Sequence, residues 1–170
     1  MDLTFQLCLL QNVASVTRFG GIFGGSGFNQ PIGSWDVSNV TVMNFMFSSS
    51  DFNQDLSGWN DKVSSVTSMK SMFQGNTVFD QDLSGWDVTS VNDMENMFNG
   101  ASSFNQDLCA WNSKLDSGAV VANAFTGTNC ASTDPPDFAL TPPGPFCAVC
   151  NTAAPTKSPT SEPTLSPVAA

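Results

Sequence analysis

The stretch Phe79-Asp-Gln-Asp-Leu-Ser-Gly-Trp86 constrains this chain more than any other feature, because it recurs. Copies stand at Phe28–Trp35, Phe52–Trp59, Phe79–Trp86 and Phe104–Trp111, with starts 24, 27 and 25 residues apart. Self-similarity at a period of 20–50 residues is the mark of a stacked repeat array. A unit of this length cannot bury its own apolar face and needs a neighbour on each side.

A second element fills the gap between copies. It reads Val-x-x-Val-x-x-Met-x-x-Met-Phe at Val37/Val40/Met43/Met46/Phe47, Val63/Val66/Met69/Met72/Phe73 and Val88/Val91/Met94/Met97/Phe98. A looser copy precedes them at Val13/Val16/Phe19/Ile22/Phe23, and a degraded one follows at Leu115/Gly118/Val121/Ala124/Phe125. The offsets from the second Val place these side chains on one face of a two-turn helix. Ser15, Asn39, Ser65 and Ser90 stand where N-caps belong. Gly24, Gly75, Gly100 and Gly127 stand where a left-handed residue would end the helix. The strict spacing of three fits a 3₁₀ segment as well. In the eight-residue unit, alternation turns Phe52, Gln54 and Leu56 to one side, and Gly58 allows a bend that brings Trp59 back inward. The expectation is an α/β solenoid of about five coils of about 25 residues. Each coil is a short strand plus a short helix, with a parallel sheet on one side.

The linker after each Trp alternates in length: one residue separates Trp35 from Val37 and Trp86 from Val88, and three separate Trp59 from Val63 and Trp111 from Leu115. The longer links are expected to bulge at one edge. Four regions result. Residues 1–12 form an N-terminal edge read as a truncated coil, and 13–129 hold the repeats. Residues 130–150, rich in Cys and Pro, make a cap. Residues 151–170 carry Pro at 155, 159, 163 and 167 and read as an extended, solvated Pro/Thr/Ser tail.

Composition removes several functions. The net charge is −10 with only five Lys and Arg, which disfavours nucleic acid and anionic membrane surfaces. No His is present, so His triads, His metal ligands and a His pH switch are excluded. No apolar run reaches the length of a membrane span. The apolar start, residues 1–10, lacks a basic region and a cleavage site, and is not read as a signal peptide. Cys109, Cys130, Cys147 and Cys150 crowd the last third and point to disulfides in an oxidising compartment, with Cys8 left over. Cys109 with Cys130 would close the last coil, and Cys147-Ala-Val-Cys150 is a C-x-x-C. Four cysteines allow three pairings, and the sequence leaves the choice open.

Other residues form columns. Gln30, Gln54, Gln81 and Gln106 hold one position of four repeats and are expected to face inward as an amide ladder from coil to coil. Asp55, Asp82 and Asp107, with Pro31 in the first copy, form the next column. They are either solvated, hydrogen-bonding carboxylates or a strip for Ca²⁺. Trp35, Trp59, Trp86 and Trp111 are either packed between coils or a platform for sugar rings. Asn39-Val40-Thr41 is the single N-glycosylation sequon, with Asn39 as acceptor. No arrangement of carboxylates suggests an acid–base pair in a pocket, so the chain is read as non-enzymatic with no cofactor.

The units Trp35–Phe47, Phe52–Trp59, Trp86–Phe98 and Phe104–Trp111 resemble the BspA-like leucine-rich-repeat surface region, a repeat of about 26 residues. The likeness spans roughly Val13 to Phe125. The tail resembles those of algal cell-wall proteins, diatoms especially. The resemblance implies a leucine-rich-repeat-like fold and a cell-surface or secreted protein that binds a protein or glycan in adhesion or recognition. The alternative is a structural wall or matrix protein, with or without a requirement for Ca²⁺. It transfers no catalytic residue.

Overall fold

A computed structural model describes residues 13–140, 143–148 and 150. The N-terminal edge with Cys8, and the Pro/Thr/Ser tail, lie outside the described residues. Successive repeats lie on one another in parallel. Single-residue bridges join Arg18 to Val42, Val42 to Ser68, Ser68 to Asp93 and Asp93 to Val120.

The coils are not built from strands and helices. Among the described residues there is no α-helix and no multi-residue strand. The regular helical segments are two 3₁₀ turns, Ser57–Trp59 and Cys109–Trp111. This corrects the expected α/β solenoid with its parallel sheet. The cause is backbone handedness. Each coil carries a positive φ three residues after its bridge residue, at Gly21, Phe45, Ser71, Asn96 and Asn123. A second follows four residues later, at Gly25, Ser49, Gly75, Gly100 and Gly127. A right-handed helix cannot run through a left-handed residue. The caps expected at Ser15, Asn39, Ser65 and Ser90 therefore begin no helix. The left-handed residue expected at Gly24 stands one position later, at Gly25.

The turns divide their amide groups into two sets. Met46, Ser48 and Ser50 donate back to Met43, Phe45 and Phe47, closing overlapping turns within one coil. The alternate residues Met43, Phe45, Phe47 and Ser49 donate to Ser68, Lys70, Met72 and Gln74 of the next coil. The same four-bond set joins Phe19/Gly21/Phe23/Gly25 to the second coil, Met69/Ser71/Phe73/Gly75 to the fourth, and Met94/Asn96/Phe98/Gly100 to the fifth, at 2.7–3.0 Å. Buried amides are thereby paired without a sheet.

Inside the coils the core is a set of side-chain columns. Phe23, Phe47, Phe73, Phe98 and Phe125 stack with ring centroids 5.4–5.7 Å apart. Phe28, Phe52, Phe79 and Phe104 form a parallel column at 6.0–6.4 Å. Within each coil the two rings lie 3.8–4.0 Å apart, so the columns lock together. Met43, Met69 and Met94, Met46, Met72 and Met97, and the Val pairs fill the space beside them. In the last coil Ala119, not Gly118, takes the buried place, because Gly118 is exposed on an Asp116-capped turn. The longer linkers do not bulge loosely: Lys62 and Val63 both bond back to the Trp59 carbonyl, and Lys114 and Leu115 to that of Trp111.

Gly58 marks a close approach between coils, since a Cβ there would lie 2.2 Å from the Gly33 carbonyl oxygen. Phe45 is the one bulky residue in its left-handed column, at φ 59° and 43% exposed. Asn occupies the same place in two later coils and tolerates that conformation far better. Phe45→Asn is therefore expected to stabilise the protein by about 1 kcal/mol, read as a raised urea midpoint with an unchanged slope.

Candidate functional site

The Phe-to-Trp segments place a polar ladder on the surface of the stack. The Asn29 side-chain oxygen accepts from the backbone N–H of Asn53 at 2.9 Å and from Gln54 Nε2 at 3.1 Å. Asn53 does the same for Asp80 N–H and Gln81 Nε2, at 3.0 and 2.9 Å. Asp80 serves Asn105 N–H and Gln106 Nε2, at 2.9 and 2.8 Å. A side-chain oxygen thus takes the position a strand would give to a backbone carbonyl, which is why no sheet forms here. The expected inward Gln ladder is corrected: Gln30 is exposed, and Gln54, Gln81 and Gln106 are half-buried. The last three bond to the Asn or Asp of the coil before, not to one another.

Beside the ladder run Asp55, Asp82 and Asp107, all exposed. Each accepts from the backbone N–H two residues on, of Ser57, Ser84 and Cys109, at 2.8 Å. They are turn caps. Among the described residues no three acidic or Cys side chains are grouped to hold a metal ion, so the Ca²⁺ strip has no geometric support. Asp82, Ser84, Gln106, Asp107, Cys109 and Ala110 line an open hollow of about 380 Å³. Elsewhere, Lys70 pairs with Glu95, whose hydrogen bond raises the ammonium pKa above its usual value. Its contribution is complete below the ordinary Lys pKa and is lost as pH rises through the raised one. Bonds from Ser38 hold Asp36 below the usual carboxylate range. That contribution is present above the ordinary value and fades as pH falls through the lowered one.

The tryptophans do not form a platform. Trp35, Trp59, Trp86 and Trp111 are buried. Trp59, Trp86 and Trp111 donate their indole N–H to the carbonyls of Ile32, Leu56 and Leu83 in the preceding coil, at 3.1, 3.3 and 3.1 Å. No indole face is available to a sugar. Asn39 is exposed, and its Nδ2 donates to the Ala14 carbonyl at 2.7 Å. Sequence reasoning missed Asn29, Asn53 and Asp80, the residues that carry the ladder. Their signal was present, as an acceptor-bearing side chain at one position of three successive repeats.

The four clustered cysteines all pair. Cys109 bonds to Cys150 and Cys130 to Cys147, so each half of the C-x-x-C reaches a different coil. Of the three pairings the sequence leaves open, this is not the one that joins Cys109 to Cys130. Cys130 occupies the place that Phe52 holds in its coil, two residues after a turn-capping hydroxyl. The bridges hold buried Phe146 over the end of the stack, where its carbonyl accepts from Leu108 N–H at 3.2 Å. Two disulfides are compatible with an extracellular protein. Among the described residues no helix is long and apolar enough to cross a membrane.

These features define a disulfide-capped tandem-repeat protein whose coils are made of turns. A family model described as "Mycoplasma protein of unknown function, DUF285" matches residues 8–62 and 51–134. The chain belongs to that family. No curated protein matches it. No solved structure matches it.

Two outcomes test this account. Asn53→Ala removes the acceptor for two donors and is expected to cost about 1–3 kcal/mol in urea unfolding. Asn53→Asp keeps an acceptor, as Asp80 does naturally, and is expected to stay within about 0.5 kcal/mol of the parent. Opening the disulfides singly, by paired Cys→Ser changes, separates them by loop length. Loss of Cys109–Cys150, 41 residues apart, is expected to cost about 4 kcal/mol, and loss of Cys130–Cys147, 17 apart, about 3.

Proposed function

We propose that this is an exported, non-catalytic binding protein that presents its amide and carboxylate ladder to a protein or glycan at a cell surface. One observation carries the reading: Asn29/Gln30, Asn53/Gln54, Asp80/Gln81 and Asn105/Gln106 repeat the same polar pair once per coil on one surface. The coil-to-coil hydrogen bonds fix Asn29, Asn53, Gln54, Asp80, Gln81 and Gln106, so little side-chain entropy is lost there on contact. Each ladder Gln still has its carbonyl oxygen free among the described residues, and the Asp82 and Asp107 carboxylates lie beside them. Such a row suits hydroxyls, amides or ammonium groups spaced along an extended partner. With the indoles buried, a glycan on the ladder would be held by hydrogen bonds and not by ring stacking.

The test is a screen of the disulfide-intact protein on glycan and extracellular-protein arrays, with Gln81→Ala/Asp82→Ala/Gln106→Ala as comparison. The expected result is a ligand bound by the parent and lost at least tenfold in the triple variant, with the cap disulfides intact in both. A ligand bound equally by both would move the site off the ladder, and no ligand in either array would end the reading.

A further inference from the structure

Phe45 breaks the pattern of its position in two ways. It is the third residue of the turn that the Met46 N–H closes on the Met43 carbonyl, and its φ is 59°. That place favours Gly or Asn, and the other coils put Gly21, Ser71, Asn96 and Asn123 there. A bulky residue on left-handed backbone is strained, and it persists only where its surroundings over-determine it. Core packing does not do so here. Phe45 is 43% exposed, while the Phe residues of both core columns are buried. Its column neighbours, Gly21 and Ser71, are too small to cover the ring.

The residues beside Phe45 are polar and held in place. Asn44, Lys70 and Glu95 form the adjoining column in three successive coils. The Asn44 side-chain oxygen accepts from Ser68 Oγ at 2.6 Å and from the Lys70 backbone N–H at 3.2 Å. Lys70 Nζ pairs with Glu95, whose backbone N–H donates to Asp93 Oδ1 at 3.0 Å. Phe45 is tied to the same group, because its N–H donates to the Lys70 carbonyl at 3.0 Å. Asn44, Ser68, Lys70, Asp93 and Glu95 are all half-buried, so each keeps one side toward solvent. The Asn44 Nδ2 has no acceptor among the described residues, and the Lys70 ammonium has donors beyond the one on Glu95.

The chemistry around the ring selects its occupant. An aromatic anchor for a protein partner sits in an apolar surround that excludes water. Phe45 lacks one: the other exposed large apolar side chains among the described residues, Val78, Val120 and Leu140, lie outside the turns that flank it. A pyranose joins a flat face of C–H bonds to a rim of hydroxyls, each both donor and acceptor. That suits an isolated ring bordered by fixed amide, ammonium and carboxylate groups. Lys70 and Glu95 neutralise one another, which favours an uncharged sugar. We propose that Phe45 is the stacking face of a binding site for one ring of a neutral glycan, with Asn44, Lys70 and Glu95 bonding its hydroxyls. The site lies on the Met-to-Phe turns, away from the Phe-to-Trp ladder in the chain, and does not require the ladder to bind anything.

Saturation-transfer NMR tests this in the full, disulfide-intact chain, with short linear oligosaccharides of glucose, mannose and galactose as probes. The expected result is saturation of the ring C–H protons of one of them, with shifts of the Phe45 and Lys70 amides that titrate together. Phe45→Asn is expected to raise the urea midpoint and yet weaken that binding about tenfold. Phe45→Tyr keeps the ring and is expected to bind within about threefold of the parent. A Phe45 of purely structural role would give the gain in stability with no loss of binding, and that outcome overturns the proposal. So does the absence of saturation with all three sugars. Loss of the same binding in Gln81→Ala/Asp82→Ala/Gln106→Ala would put the sugar on the ladder and overturn it too. Extracellular proteins captured through Phe45, with no sugar bound, would make the ring a protein anchor and have the same consequence.

Discussion

Every other feature of this structure depends on how the backbone divides its amide groups. In the second, third and fourth coils, alternate N–H groups close three-residue-back turns, and the ones between them reach the next coil. An α-helix spends all its amides on itself, and a strand turns successive amides to opposite sides. Here one segment does both jobs at once: it curls tightly and is hydrogen-bonded to its neighbour. The two left-handed residues per coil make this possible, which is why their positions repeat when their identities do not.

The same economy governs the rest of the coil, where side chains replace the backbone as the connecting groups. Asn29, Asn53 and Asp80 hold the next coil by their oxygens. The indoles of Trp59, Trp86 and Trp111 hold the preceding one by their N–H groups. In the two longer linkers, Lys62 and Lys114 reach back to the carbonyls of Trp35 and Trp86 at 3.3 and 2.9 Å. Each contact is between groups about one repeat apart. The Phe columns then supply the apolar contact that makes the polar connections worth forming. Buried indoles and bonded lysines also explain why so little of this chemistry is left for a ligand. What remains outward is the amide ladder, the capping carboxylates and the turn that carries Phe45.

Much of this architecture was legible in the residues. The repeat boundaries, the Phe, Met and Val columns and the grouping of four cysteines near the end follow from residue type and spacing, because burial obeys the period whatever the local backbone does. The local conformation did not follow. A spacing of three and four describes a helical face and a series of overlapping turns equally well. The sign of φ at Phe45 or Ser71 is not written in those residues, and Gly21, Asn96 and Asn123 disclose it only once the five positions are aligned.

The candidate site divides the same way. That Gln and Asp recur was visible. That Gln lies half-buried and donates to the Asn or Asp of the coil before was not, because alternation assumed a regular strand where residues 51–56, 79–83 and 104–108 have no regular structure. The cysteine pairing was equally hidden, since the cap folds back across two coils before its thiols meet theirs. By itself the sequence determined that equivalent side chains lie over one another, since only a neighbouring repeat can bury them. The tertiary structure alone decided which way each peptide group faces, because that depends on whether an acceptor waits in the coil above.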